Sequence, residues 1–160
     1  MTLPKISRAE YLAIERRIAV LRSEDTQATQ ELADATNNGA ETWHDNAAFD
    51  AAKDKKNIAT LGLARLEILY KQAKIIEPRE DPKKVEIGTC VDYIDEETGT
   101  QHTICLAGDA AWLMDENWAS VQAPLGRTLY KTKVGDTKVF SSPAGDKELT
   151  VVAISKFIIE

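Results

Sequence analysis

The stretch whose residue types could do chemistry is Gly39-Ala40-Glu41-Thr42-Trp43-His44-Asp45-Asn46-Ala47-Ala48-Phe49. It carries two carboxylates, Glu41 and Asp45, at i and i+4, and Asp50 and Asp54 follow. Carboxylates at that spacing can share one side of a helical turn. Such hard oxygen donors suit Mg²⁺, which takes one or two protein carboxylates and keeps several waters. The plainer reading is that Asp45 caps the following helix and favours its dipole while Glu41 is solvated. Trp43 either folds back on its turn or meets a partner, as large aromatics at protein contacts do. His44 reads more simply as a solvated residue than as a ligand. Lys53, Lys55 and Lys56 form a solvated face or guide a phosphate backbone past the acidic segment.

Two long helices have to position that stretch. Ser7 is an N-cap with Glu10 three residues on, a capping box, and Ile6 and Tyr11 take the staple positions around it. Tyr11, Ile14, Ile18, Leu21, Ala28, Leu32 and Ala35 then recur at steps of three and four, interrupted at Asp25. This is a coiled-coil seam, and it should end near Thr36-Asn37-Asn38-Gly39, where the glycine suits a C-cap. About 29 residues at ~1.5 Å each make a rod of roughly 43 Å.

A second helix is expected from about Asn46 to just before Pro78. One apolar stripe on it is Ile58, Leu61, Ile68 and Ile75; an adjacent one is Ala59, Leu66, Leu69, Ala73 and Ile76. A short connection between two such helices predicts an antiparallel hairpin. Ala28, Ala33 and Ala35 against Ala47, Ala48, Ala51 and Ala52 would keep its tip slender. The alternative, two members of a larger bundle, lacks further long helices to complete it.

The composition changes near Pro78. Six of the eight glycines lie beyond it, and four of the five prolines lie at or beyond it. Arg79 to Lys84 reads as a charged linker, dividing the chain into a hairpin domain, 1–78, and a second domain, 79–160. Gly88 to Ile94 and Gln101 to Leu106 read as one hairpin around Asp95-Glu96-Glu97-Thr98-Gly99. Lys138 to Phe140 and Leu149 to Ile154 read as another, around Pro143-Ala144-Gly145-Asp146. Pro124 can start a short helix through Tyr130. The second domain is therefore expected to be a small antiparallel sheet carrying a short helix, and the chain to be α+β.

Charge and cysteine content exclude several functions. The net charge is −6. Residues 1–78 hold 11 Lys/Arg against 12 Asp/Glu, and residues 79–160 hold 9 against 14. Neither half has the basic excess of a protein that binds nucleic acid alone. No apolar run approaches the roughly 20 residues of a membrane span, and Met1 to Lys5 shows no secretory core. Cys90 and Cys105 are too few for a zinc site and read as reduced thiols of a cytoplasmic protein.

Several motifs together resemble the bacterial GreA/GreB family of transcription elongation factors. Asp45-Asn46-Ala47-Ala48-Phe49 resembles the second half of its Gly-Asp-x-x-Glu-Asn-Ala-x-Tyr tip. Gly108-Asp109-Ala110-Ala111 loosely resembles its Gly-x-x-Glu-Ala segment, and Ala123-Pro124-Leu125-Gly126-Arg127-Thr128-Leu129 closely resembles its Ser-Pro-Leu-Gly-Arg-Ala-Leu helix. Val134-Gly135-Asp136 and Pro143-Ala144-Gly145 match its later turns. The resemblance implies a coiled-coil N-terminal domain and an FKBP-like C-terminal domain, without implying isomerase activity. It implies RNA polymerase as partner, with the second domain at the rim of the secondary channel and the hairpin inside it.

In this family the tip carboxylates help hold a shared Mg²⁺ beside backtracked RNA, and the polymerase itself performs the cleavage. Glu41 and Asp45 are the residues carried over to that role, so the chain is not an enzyme in its own right. Trp43, Asn46, Pro124, Leu125, Gly126 and Arg127 are the expected partner-binding residues, and the expected state is a monomer. The tip departs from the pattern: six residues separate Gly39 from Asn46 where the family has four, and Thr42 falls at the aspartate position. A channel-entering regulator that does not stimulate cleavage is the alternative. A peptide-binding module would need an aromatic pocket from Tyr93, Trp112, Trp118 and Phe140, which read more simply as core.

Overall fold

The computed structural model describes residues 2–38 and 47–159. Two long helices, α1 (Arg8–Asn38) and α2 (Ala47–Gln72), follow a short strand β1 (Lys5–Ser7). Then come β2 (Lys74–Ile76), β3 (Thr89–Asp95), β4 (Thr100–Ala107), a 3-10 turn at Ala111–Leu113, β5 (Trp118–Ser120), α3 (Pro124–Leu129), β6 (Thr137–Ser142) and β7 (Gly145–Lys156). A helical hairpin followed by a curled, largely antiparallel sheet with a short helix is the α+β arrangement expected from the sequence.

The compact units are not divided at Pro78. Met1–Ala13 packs with Ala73–Glu160 as one unit, and Ile14–Gln72 forms the other. The cause is a strand pair that the sequence periodicity concealed. β1 and β2 run parallel, with Lys5 opposite Lys74, Ile6 opposite Ile75 and Ser7 opposite Ile76. Lys74 donates its amide to the Pro4 carbonyl at 2.7 Å. The expected helix through residue 77 therefore stops at Gln72, and Ile75 and Ile76 belong to a strand, where β-branched side chains pack well.

In the hairpin unit the seam consists of Ile14, Ile18, Leu21 and Ala28 on α1 and Ala52, Ala59 and Leu66 on α2. The three α2 residues recur every seventh position, the coiled-coil repeat. Of the two stripes expected on α2, only the one containing Ala59 and Leu66 is buried. Ile58, Leu61 and Ile68 are 70%, 73% and 56% exposed, so that stripe faces solvent. Small residues explain the choice. A Cβ on Gly62 would stand 3.2 Å from a Leu21 methyl, a close approach that the bulkier stripe would prevent. Ala28 and Ala52 are buried as expected, whereas Ala33, Ala47, Ala48 and Ala51 are exposed; the side chain of Ala35 is outside the described set.

The sheet has the order β5-β4-β3-β7-β6. Every neighbouring pair is antiparallel except β4–β5, which is parallel, so the expected all-antiparallel sheet gains one parallel edge strand. α3 packs against both edge strands. Val85, Val91, Tyr93, Leu106, Leu129, Leu149 and Val151 form the core. Full burial of one such aliphatic side chain contributes roughly 1.5–3 kcal/mol. β3 alternates strictly, with Thr89, Val91, Tyr93 and Asp95 buried. β7 does not: Leu149, Val151 and Ile154 pack on the core at steps of two and three. Its register against β3 shifts between Asp92 and Tyr93, a bulge that places one extra β7 residue and restores the inward phase.

Cys90 and Cys105 are joined by a disulfide, which corrects the expectation of two reduced thiols. They stand directly opposite each other in the β3–β4 ladder, a pairing that cysteine count alone could not reveal.

Candidate functional site

Glu41, Trp43, His44, Asp45 and Asn46 lie outside the described residues, so the tip itself carries no geometry here. The described residues on either side are the hairpin helices α1 and α2. Cross-hairpin polar contacts advance along the helices. The Tyr70 hydroxyl meets Glu15 at 2.8 Å, and Arg22 meets Glu67 at 3.3 Å. Nearer the turn, Lys56 meets Asp25 and Lys55 meets Glu31, both at 3.2 Å. Each exposed ion pair contributes at most about 1 kcal/mol, but a series of them specifies the register of a slender seam.

Asp25, the interruption in the apolar stripe, becomes intelligible in this frame. Its carboxylate accepts hydrogen bonds from Lys56 at 3.2 Å and from the Thr60 hydroxyl at 3.3 Å, both on the facing helix. Lys55 and Lys56, one candidate guide for a phosphate backbone, are thus engaged across the hairpin. Asp50 and Asp54 are exposed on α2. Among the described residues no group of three or more His, Cys, Asp or Glu side chains could hold a metal ion.

The second expected contact surface, Pro124 to Arg127, lies on α3 and divides by role. Pro124 opens the helix and is exposed, and Arg127 is exposed with its guanidinium donating to the Gln122 carbonyl at 3.0 Å. Leu125 packs against the core. Gly126 is buried against the chain before the helix, where an added Cβ would stand 1.9 Å from the Ser120 carbonyl oxygen, so only glycine fits. Two of the four residues therefore build the helix's seat, and Pro124 and Arg127 are the ones a partner can touch.

Sequence reasoning missed the second task of Glu10. The capping box forms as expected: the Ser7 amide donates to Glu10 at 2.6 Å, and the Glu10 amide donates to the Ser7 hydroxyl at 3.2 Å. The same carboxylate, fully buried, also accepts the Gly108 amide at 2.9 Å and the Ala110 amide at 3.0 Å. Next to it, Lys5 and Asp109 bond reciprocally: the Lys5 amide donates to the Asp109 carboxylate at 2.7 Å and the Asp109 amide to the Lys5 carbonyl at 2.8 Å. Gly108 is required there, because a Cβ would fall 2.0 Å from the Lys5 carbonyl oxygen. The signal was present in the Gly108-Asp109-Ala110 motif, but its partner lies at the other end of the chain.

The aromatic residues divide differently. Tyr93 is in the core and Phe140 packs on it. Trp118 meets Phe157 edge-on at 4.7 Å, while Trp112 is 53% exposed. Trp118 and Phe157 also line a cavity of about 320 Å³ whose charged rim includes the Arg8–Glu77 pair at 2.8 Å and the Lys156–Glu80 pair at 3.4 Å. No described helix is long and apolar enough to cross a membrane.

Two groups at the end of β3 titrate abnormally. Burial, and then the neighbouring Asp95 carboxylate, push the Tyr93 phenol above its ordinary value. Burial also acts to raise the Asp95 carboxyl, but the amides of Glu97 and Thr98 and the Lys147 ammonium outweigh it and hold that carboxyl below the usual range. The Glu97 amide lies 3.0 Å and the Lys147 ammonium 3.4 Å from it. Both groups belong to the fold and lie apart in sequence from the acidic stretch.

Residues 80–156 match the family model described as the C-terminal part of transcription elongation factor GreA/GreB. A transcription elongation factor GreA from Methylobacterium nodulans is 31% identical over 112 residues, covering 69% of this chain and 71% of the relative. One from Cereibacter sphaeroides is 25% identical over 150 residues, covering 93% and 95%. GreA factor homolog 1 (Gfh1) of Thermus thermophilus is similar in structure, with 25% identity, coverage of 96% of this chain and 99% of that one, and a TM-score of 0.42. The chain belongs to the GreA/GreB family of transcription elongation factors.

Proposed function

We propose that this chain binds RNA polymerase, inserts its hairpin into the secondary channel and stimulates cleavage of backtracked RNA through Glu41 and Asp45. The observation that carries the reading is the shape of the seam. It narrows from Ile14, Ile18, Leu21 and Leu66 to Ala28 and Ala52 toward the acidic turn, as a probe entering a confined channel requires. Family membership supplies the class of partner. The exposed Pro124 and Arg127 on α3 are the proposed contacts of the second domain.

The chain's own part is to hold and present ligands. The segment between α1 and α2 offers two carboxylates, Glu41 and Asp45. A Mg²⁺ ion held there would supply water activation and charge neutralisation for phosphodiester hydrolysis. Glu41 and Asp45 are the residues proposed to hold it, and Trp43 and Asn46 are proposed as partner-binding residues beside them. With a net charge of −6 the free chain should bind nucleic acid weakly. The test is release of short transcripts from backtracked polymerase complexes with and without the protein. Stimulated release supports the reading, and its absence despite polymerase binding refutes it.

One observation favours a second reading. Six residues lie between Gly39 and Asn46 where the family pattern has four, and Thr42 takes the aspartate position. A tip so re-spaced could enter the channel and inhibit without stimulating cleavage. In the same assay, competition against a cleavage-stimulating factor separates the two.

A further inference from the structure

We propose that Cys90 and Cys105 form a reversible redox staple that sets how firmly edge strand β5 and the α3 face behind it are held. The two residues are opposite in the β3–β4 register, with Cα atoms 3.9 Å apart. Cys105 turns its amide away from β3, donating it to the Asn117 carbonyl at 2.9 Å. Toward β3 the pair is therefore a non-hydrogen-bonded one, where opposed side chains lie closest. The ladder continues on one side from Val91 opposite Ile104 to Asp95 opposite Thr100, so the two sulfurs stay in register whether or not they are bonded.

The pair is placed to matter to the sheet edge. β5 is three residues long, lies at the end of the sheet and pairs only with β4, beginning at Cys105 opposite Trp118. Beyond it the Val121 amide donates to the Ala107 carbonyl at 2.9 Å, and the Ser120 carbonyl lies against Gly126 of α3. A covalent bond from β3 to Cys105 thus braces the strand on which β5 hangs, and β5 seats the helix that presents Pro124 and Arg127. Without the bond that strand is held by its backbone pairing and by the packing of Leu106 in the core.

The chemistry requires a disulfide-class oxidant, such as oxidised glutathione or a thiol–disulfide oxidoreductase. Cys90 is half-buried while Cys105 is 7% exposed, so Cys90 is the sulfur that reagent reaches. The Cys90 thiolate attacks the reagent's S–S bond, forming a mixed disulfide and releasing one thiol. The Cys105 thiolate then attacks the Cys90 sulfur, closing the protein bond and releasing the second thiol. Two electrons pass to the reagent, and the two cysteine protons end on its thiols. The proposal rests on the functional reading only for its setting: beside polymerase inside a cell the pair is ordinarily reduced, and it closes when the thiol poise turns oxidising.

The test uses the free full-length chain, so its result does not depend on polymerase binding. Equilibration with oxidised glutathione should remove both maleimide-reactive thiols without adding mass from glutathione. It should slow amide exchange across residues 117–121 by about tenfold relative to phosphine-reduced protein, and raise Tm by about 5 °C or more through closure of the intervening loop. Cys90→Ser should show the reduced exchange pattern under both conditions. Thiols that persist under oxidant, identical exchange in the two states, or the same redox response in Cys90→Ser would each overturn the proposal.

Discussion

Glu10 and Gly108 meet through a buried carboxylate that accepts one backbone amide with both of its oxygens at 2.9 Å. A residue whose local duty is to cap α1 thereby ties the chain's first strand and helix turn to the loop after β4. Together with the β1–β2 pair, this contact ties residues 1–13 to residues 73–160, although the chain passes through a long hairpin in between.

Replacing Glu10 with alanine should accordingly cost more than an exposed capping box does. Loss of one partner leaves the Gly108 and Ala110 amides buried without an acceptor, at roughly 1–3 kcal/mol each. Glu10→Gln keeps one oxygen and should cost less. Denaturant unfolding measures both; a loss below about 1 kcal/mol for Glu10→Ala would show that water replaces the carboxylate.

Two glycines should respond to the same substitution with opposite signs. In Gly62→Ala the new methyl meets the end of the flexible Leu21 side chain at 3.2 Å, which can give way. Helix propensity then favours alanine by up to about 1 kcal/mol, so the variant should match or exceed the parent in stability. In Gly126→Ala the methyl meets the Ser120 carbonyl at 1.9 Å, which is backbone. That variant should lose more than about 2 kcal/mol, in the range of severe overpacking. Thermal melts of the pair test both signs, and equal shifts would contradict the packing argument.

Asp95 gives a pH dependence of defined sign. Its folded carboxyl is held below the ordinary value, so its stabilisation is present above the unfolded pKa and is lost as pH falls through the folded one. Asp95→Asn should therefore be less stable than the parent at pH 7, and the gap should close at pH values below about 4, where the unfolded carboxyl protonates. Unfolding curves for both proteins across that window test it; a gap that widens toward acid would reverse the assignment.

How much of this was legible in the sequence depended on how local each cause was. The Ser7–Glu10 box lies within one turn and was readable, as was Pro124 opening α3. The β1–β2 pair joins segments on either side of the hairpin, and Lys74-Ile75-Ile76 fits a helical period as well as a strand, so periodicity chose wrongly. On α2 two apolar stripes competed. Apolar character favoured Ile58, Leu61 and Ile68, but close approach of the helices favoured the smaller Ala52, Ala59 and Gly62. The Cys90–Cys105 bond depended on strand register. Asp25 looked like a flaw in the stripe until Lys56 and Thr60 stood opposite it.

The tip supplies the decisive functional prediction. The buried seam of the described hairpin residues is Ile14, Ile18, Leu21, Ala28, Ala52, Ala59 and Leu66, and Glu41 and Asp45 are proposed to act at the tip and not in that seam. Their replacement should therefore leave folding and polymerase binding nearly unchanged. If they hold the shared ion, Glu41→Ala or Asp45→Ala should abolish stimulated transcript cleavage. Higher Mg²⁺ should partly restore the single variants, because the polymerase and the RNA phosphates contribute the remaining ligands and weak ligation suffices. The longer Glu41 side chain offsets its earlier position, and neighbours at i and i+4 stand about 5–6 Å apart at Cβ when helical. An Asp45→Ala protein that binds polymerase and cleaves like the parent would remove the ligand role from this residue. A parent that binds and never stimulates cleavage, yet blocks a factor that does, would establish the inhibitory reading instead.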